Sequence, residues 1–277
     1  MTFHRDLMFA TRAPSASELN HLRALLSTFR DGSGNQKESD GTTRASWREI
    51  ERCIAEVVSG PASENKHIFD VIAPDRIKNM LFYGLSIKSK QLSMNNFSTL
   101  GTTGRVYMEI ANSPAKFWKE IIEKYGYTER EFQEQKYAAA IGECVIRTVQ
   151  SWHEEGKKMF ELYNPGNILD LDHSKYVCVS YSESKNPSDR LYQIHSFNLR
   201  FPTGIIWQYI SDRCLRGFDP NHPTEALFDW YGSSGGQLKY YPRAVYAENS
   251  SAVFNLLSPP AGMSLTSKAK GYWPGMF

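Results

Sequence analysis

The amino-acid sequence predicts an α/β (α+β) protein whose central mixed β-sheet is flanked by helices. Three observations support this fold class. Apolar residues recur at helical spacing through about residue 155, and short β-rich runs separated by turn clusters dominate from about residue 165. The chain of 277 residues, 41% of them hydrophobic, is long enough for one large core. We therefore expect a single domain over residues 1–277, with a core at about 45–155 and a β-rich part at about 165–277.

Four helices are predicted from apolar periodicity and from the residues at their starts. Serine, threonine and proline are favoured there because a side-chain oxygen or a fixed backbone angle suits the first turn. The predicted helices start at Ser15 or Ser17, at Ala45, at Ser113-Pro114 and at Thr128, and they end near Asp31, Val58, Tyr125 and His153.

Strand candidates are the short apolar runs bounded by turn residues. The first two flank a Pro-Asp turn and are expected to pair as an antiparallel hairpin. The predicted strands are His67–Ala73, Leu81–Lys88, Arg105–Ala111, Tyr176–Ser182, Leu191–Leu199, Gln237–Ala247 and Ala252–Leu257. Residues 32–43 and 89–103 are polar and non-periodic, so we expect loops there.

The charge balance and the cysteines restrict the classes of function. Lys and Arg number 32 against 30 Asp and Glu, a formal charge of +2, so any nucleic-acid surface has to be local. The four cysteines form no Cys-x-x-Cys pair and no zinc-ligand spacing, which argues against structural zinc and for a reducing compartment. Because the sequence shows no apolar leader and no membrane-spanning segment, we expect a cytoplasmic protein with no membrane partner.

An acidic residue falls on the apolar face of the second predicted helix. At 100° per residue, Glu51 lies about 40° from Trp47, whereas Glu49 lies about 200° away among polar residues. A carboxylate that points inward is costly unless a cation, a proton or hydrogen bonds compensate it. Glu51 is therefore either half of a structural ion pair with an Arg or Lys, or part of a functional site.

Two further charged residues lie on the predicted hairpin. Asp70 interrupts the apolar run from Ile68 to Ile72, and by the period of two it shares a face with both. Lys88 ends the next strand, and Ser86 lies two residues before it on the same side. The hairpin thus carries an acid and an amine that both point toward packed structure.

Together, Glu51, Asp70 and the stretch Ser86-Ile-Lys88 resemble the PD-(D/E)XK nuclease core of many type II restriction endonucleases. In that core a helix carries a Glu, a hairpin strand carries an Asp, and the next strand ends in acid-x-Lys. The resemblance covers about residues 45–90 and implies a restriction-endonuclease-like core that uses Mg²⁺. It implies that Asp70 binds Mg²⁺, that Glu51 binds a second ion or orients water, and that Lys88 positions or activates the attacking water.

Ser86 departs from the family pattern, which has Asp or Glu at this position. A hydroxyl is a poor Mg²⁺ ligand. Some restriction enzymes of this fold place Ser there and recruit a Glu from further along the chain, and Glu109 is the candidate for that role.

A second match, Asp172 followed by Glu183-Ser-Lys185, fits acid-x-Lys better. We rank it second because its Glu and Lys lie at a predicted hairpin tip, where charged residues are usually solvated.

Polar and basic residues supply candidate DNA contacts. Amides can bind adenine edges, Lys and Arg can bind phosphates or guanine, and aromatic-basic segments can line a groove. The candidates are Lys90, Gln91, Asn95, Asn96, Arg105, Lys239 and Arg243. A solvated loop and ordinary sheet residues are the alternative explanations.

His195 and the pair Asp172-His173 are expected to be structural, since no second metal ligand is suitably spaced.

The sequence thus leads to the hypothesis of a sequence-specific, Mg²⁺-dependent double-stranded DNA endonuclease. Cutting both strands usually requires a two-fold dimer, so we expect a homodimer whose β-rich half carries recognition and dimerisation surfaces. Two alternatives stay open. One is a non-catalytic nucleic-acid-binding protein without a complete metal site, which Ser86 permits. The other is a structural or self-assembling interaction protein.

Overall fold

In a computed structural model of the chain, residues 6–60, 68–132, 134–258 and 265–276 are described. The helices in these ranges are α1 (Ala16–Thr28), α2 (Trp47–Val58), α3 (Met94–Ser98), α4 (Pro114–Tyr125), α5 (Ala138–Tyr163) and α6 (Leu265–Tyr272). The strands are β1 (Gln36–Lys37), β2 (Thr43–Arg44), β3 (Val71–Pro74), β4 (Leu81–Leu92), β5 (Met108–Asn112), β6 (Ile168–Leu169), β7 (Lys175–Ser182), β8 (Leu191–Asn198), β9 (Ile206–Tyr209), β10 (Leu215–Asp219), β11 (His222–Trp230), β12 (Gln237–Tyr240), β13 (Asn249–Ser250) and β14 (Phe254–Asn255). The predicted fold class is confirmed: the chain is mixed α and β, with a mixed central sheet flanked by helices.

The first two long helices begin where the sequence predicts. The Ser15 hydroxyl accepts the Glu18 N–H at the start of α1, and the Glu18 carboxylate accepts the Ser15 N–H at 2.8 Å. At the start of α2, the Glu49 carboxylate accepts the Ser46 N–H at 2.5 Å. These bonds satisfy N–H groups that the first helical turn leaves without a partner.

The larger sheet has the strand order β13-β8-β7-β4-β3, with β14 added to β8 and β6 added to β4. β3 and β4 form the predicted antiparallel hairpin, with Val71 opposite Leu85. β4 pairs with β7 in parallel, with Lys88 opposite Cys178, and β8 is antiparallel to β7. Parallel pairing of β4 and β7 requires a crossover, which α4 and α5 supply.

The second sheet is antiparallel, with the order β5-β12-β11-β10-β9. Three of its strands, β9 to β11, lie in a region where no strand was predicted. Register shifts at Gly217, Phe218 and Asp219 interrupt the pairing of β10 with β11.

Helices and sheets pack in layers around two apolar clusters. On one face of the larger sheet, α1 and α2 contribute Leu22, Leu26 and Ile54, which pack with Leu85 and Val177. On the other face, α4, α5 and the second sheet enclose the larger cluster. Its buried members include Phe117, Ile141, Val145, Tyr176, Phe228 and Trp230. The larger sheet is therefore covered on both faces.

Several boundaries differ from the predictions. Thr128 and Glu131 do form their predicted hydrogen bonds, but the chain turns after them, and α5 begins only at Ala138. The stretch 89–103 is not simply a loop, because β4 continues to Leu92 and α3 follows. His67, at the start of the first predicted strand, lies outside the described residues.

No helix in the described ranges has the length and apolar character needed to cross a membrane.

Candidate functional site

Asp70 lies immediately before β3 and is positioned by β4. Its N–H donates to the carbonyl of Leu85 at 3.0 Å, which continues the hairpin ladder by one residue. By the antiparallel register, Asp70 then lies opposite Ser86 and on the same face as Lys88. The hairpin therefore brings the predicted acid and the predicted amine together.

The hydrogen bonds that Asp70 receives from described residues all end on Oδ2. The Ile87 N–H donates at 2.6 Å, the Lys88 ammonium donates at 3.0 Å, and the Ser86 hydroxyl lies at the limit of bonding, 3.5 Å away. The side chains of Lys88 and Asp70 are 22% and 23% exposed, so water and a ligand can reach the pair. No hydrogen bond from a described residue reaches Oδ1.

Glu51 lies half-buried on α2, close enough to both hairpin residues for their charges to act on it. Burial is the largest cause that raises the pKa of Glu51, to about 7, and the negative charge of Asp70 is the second. The positive charge of Lys88 is the largest influence that lowers this pKa. Among the described residues, no hydrogen bond or ion pair reaches the Glu51 carboxylate. The structural ion pair that the sequence left open is thus absent there, and Glu51 lies within electrostatic range of the contacting pair Asp70 and Lys88.

Ser86 is 1% exposed, and its hydroxyl faces Asp70. A neutral oxygen here does not add to the negative charge that Asp70 and Glu51 already concentrate. The site therefore holds two carboxylates and one hydroxyl where the family pattern has three acids.

The structure does not bring Glu109, the predicted replacement for the missing acid, to the hairpin site. Its neighbours Met108 and Ile110 are buried in the cluster between the two sheets. Since side chains alternate along a strand, Glu109 points to the opposite face of β5 and is exposed there, with Lys239 opposite it on β12. It points away from the layer that contains Lys88.

The second match to the motif is not assembled in the structure. Asp172 lies before β7 and pairs with the guanidinium of Arg200, whereas Glu183 and Lys185 follow the other end of the same strand. Eight strand residues separate the two ends, which corresponds to about 26 Å. The acid and the acid-x-Lys stretch therefore cannot act on one phosphate.

Four of the predicted DNA contacts are exposed near the site. Lys90 and Gln91 lie on β4 just beyond Lys88, and Asn95 and Asn96 lie on α3. They belong to a strand and a helix, so they occupy fixed positions beside the hairpin.

The other three predicted contacts are engaged with protein partners. Arg105 and Arg243 both form ion pairs with Glu225. The Lys239 ammonium lies 4.5 Å from the centre of the Tyr231 ring. Because Glu225 pairs with both guanidinium groups, Arg105 and Arg243 contribute to the packing of the second sheet.

Three of the described histidines have surroundings that suit a structural role. His195 is 2% exposed, and burial lowers its pKa to about 4, which keeps the ring neutral. His173 bonds to Asp170 through Nδ1 at 3.0 Å. The buried ring of His153 bonds to the Tyr176 hydroxyl at 3.0 Å.

Two residues of α2 differ in burial from what helical periodicity predicts. Trp47, expected in the core, is 56% exposed, and Glu49, expected in solvent, is 6% exposed. Glu49 is buried because it caps its own helix and also accepts the Asn35 amide at 3.0 Å. The capping-box pattern of Ser46 and Glu49 was the signal that could have identified this role.

The side chains present fit a hard divalent cation better than a soft one. Within the described parts of the chain, no group of three or more His, Cys, Asp or Glu side chains could hold a metal ion. Mg²⁺ commonly binds through one or two carboxylates and completes its shell with water and substrate phosphate. Asp70 and Glu51 match that smaller requirement.

Comparisons with protein-family models, with curated proteins and with solved structures found no match. Function is therefore inferred from the chemistry of the site.

Proposed function

We propose that this protein is a Mg²⁺-dependent endonuclease that hydrolyses double-stranded DNA in the manner of type II restriction enzymes. The observation that carries the proposal is the convergence of Glu51 from α2, Asp70 from the hairpin and Lys88 from β4. Support also comes from the chain order, in which an acidic helix precedes the hairpin and further helices follow it. This is the order of the PD-(D/E)XK core.

Each of the three side chains has a definite part in this proposal. A bound Mg²⁺ would stabilise negative charge on the phosphate and acidify a water molecule. Asp70 Oδ1 and the Glu51 carboxylate would hold the ion. Lys88, fixed at 3.0 Å from Asp70 Oδ2, would orient the attacking water and stabilise charge at the phosphate. The N–H of Ile87 holds Asp70 in place at 2.6 Å.

The test is cleavage of supercoiled plasmid and of a linear duplex, with Mg²⁺ and with EDTA. Discrete fragments are expected from the parent protein in Mg²⁺ alone. Asp70→Ala and Lys88→Ala are expected to abolish cleavage while folding and DNA binding persist, because each removes one of the converging groups. Asp172→Ala and Lys185→Ala are matched controls from the second motif, and both are expected to cut normally. Cleavage at the parent's rate by either hairpin variant would refute the proposal.

Ser86 favours one alternative, a nucleic-acid-binding protein that does not cut. With two carboxylates instead of three, the site has less charge to hold a cation. A gel shift without fragments under every divalent cation tried would establish this alternative.

The proposal extends to assembly and location. Cleavage of both strands calls for two such sites related by a two-fold axis, so we propose a homodimer, which sedimentation tests directly. The cytoplasm is the proposed location, supported by four cysteines that are all buried and unpaired.

A further inference from the structure

The first turns of α2 expose an indole ring and two guanidinium groups on one side of the helix. The side chain of Trp47 is 56% exposed, and the guanidinium carbon of Arg48 lies 4.9 Å from the centre of its ring. Arg52, one turn after Arg48, is also exposed. We call these three residues the α2 patch.

The α2 patch adjoins the proposed catalytic site. Glu51 lies one turn after Trp47 on the same helix, and the charges of Arg48 and Arg52 both act to lower its pKa. On the hairpin, Lys90 is exposed beyond Lys88. Basic side chains thus lie on two elements that meet at Asp70.

The composition of the patch matches a nucleic acid strand. Guanidinium groups bind phosphate oxygens, and an indole offers a flat apolar face to a nucleotide. The core does not require Trp47, because Ile50 and Ile54 already fill the contact between α2 and the larger sheet. With a formal charge of only +2 on the whole chain, a local group of cations is the feature that can attract phosphate.

We propose that the α2 patch binds the DNA strand next to the phosphate that is cut, with Arg48 on a flanking phosphate and Trp47 against the adjoining nucleotide. This inference rests on the proposed nuclease function. It gives α2 two roles: Glu51 serves the reaction, and the exposed side of the same turns positions the substrate.

The test is binding of a fluorescently labelled duplex to the full-length protein in EDTA, measured by anisotropy at several salt concentrations. Trp47→Ala is expected to weaken binding about tenfold through loss of the nucleotide contact. Arg48→Ala is expected to weaken binding and to reduce the slope of log affinity against log salt by about 1. Thermal unfolding verifies that each variant remains folded.

Two exposed residues far from α2 in sequence provide matched controls. Trp273 is 57% exposed, and the Arg213 side chain is 70% exposed, so Trp273→Ala and Arg213→Ala remove similar groups. Neither is expected to change affinity or salt dependence.

The outcomes separate this inference from the proposed function. If the parent cuts DNA and both α2 variants bind like the parent, the patch assignment is wrong and the nuclease proposal stands. If the parent neither binds nor cuts DNA, both fail. If Trp47→Ala changes the oligomeric state and leaves DNA affinity unaltered, the patch is a protein contact and the inference is overturned.

Discussion

Replacing Glu51 by Gln tests whether this acid is placed for folding or for chemistry. Its pKa of about 7, against an ordinary 4.5, means that the folded protein favours the protonated form. At full burial the difference would correspond to about 3 kcal/mol, and because Glu51 is half-buried we expect about 1–2 kcal/mol. The stability supplied by protonation is complete below pH 4.5 and is lost as pH rises through about 7.

Gln cannot ionise, so the Glu51→Gln variant should keep that stability at high pH. In EDTA we expect nearly equal free energies of unfolding for parent and variant near pH 4, and a more stable variant near pH 8. Urea denaturation at both pH values measures this difference. Adding Mg²⁺ at pH 8 should stabilise the parent more than the variant, because only the parent retains both carboxylates.

Glu56→Gln is the matched control, since Glu56 is exposed on the same helix and should show neither effect. A variant at Glu51 that is less stable than the parent at pH 8 would refute the reasoning, because it would show that the carboxylate stabilises the fold.

Two further predictions concern packing elsewhere in the fold. Glu38→Gln should cost about 3–5 kcal/mol by chemical denaturation, because the 8%-exposed Glu38 side chain pairs with Arg190, which is 6% exposed and would be left without its acid. Gly142→Ala should cost about 1–3 kcal/mol, since an added Cβ would lie 2.1 Å from the Trp207 ring.

Neighbouring positions provide controls for both changes. Asp40→Asn alters an exposed acid in the same loop as Glu38, and Gly101→Ala adds a methyl group where nothing lies within 4 Å. Both should leave the unfolding midpoint nearly unchanged. A loss as large as that of the test variants would show that general loop or helix propensity, and not the named contact, sets the stability.

The hairpin of the candidate site could be predicted because its determinants are local. The turn before Leu81 fixes the pairing of two neighbouring strands, and the period of two then places Asp70, Ser86 and Lys88 on one face. No long-range information was needed. The same reasoning placed Glu51 near the hairpin, since α2 directly precedes it and packs against it.

The place of β5 in the second sheet could not be predicted in the same way, because its pairing with β12 is long-range, whereas β9 to β12 pair as neighbours in sequence. β5 lies beside β12, so Met108 is opposite Tyr240. Glu225, from β11, compensates both Arg105 and Arg243. A sequence shows the two arginines as free cations, and only the paired strands show their acid.

The error at Trp47 has a different physical origin. A helical wheel treats all turns alike, but the first turn of α2 leaves Trp47 exposed while later residues such as Ile54 are fully buried. Periodicity gives the side of a helix on which a residue lies. It does not give the point along the axis at which the neighbouring element ends.

The electrostatics of the site argue that its acids are not placed for stability. Two carboxylates lie together with one ammonium, and that ammonium bonds to Asp70, while no hydrogen bond or ion pair from the described residues compensates Glu51. A structural role would favour an apolar residue or a second cation at this position on α2. A divalent cation would remove the repulsion between Glu51 and Asp70, and this supports the proposed ion-binding role of an acid that folding alone would disfavour.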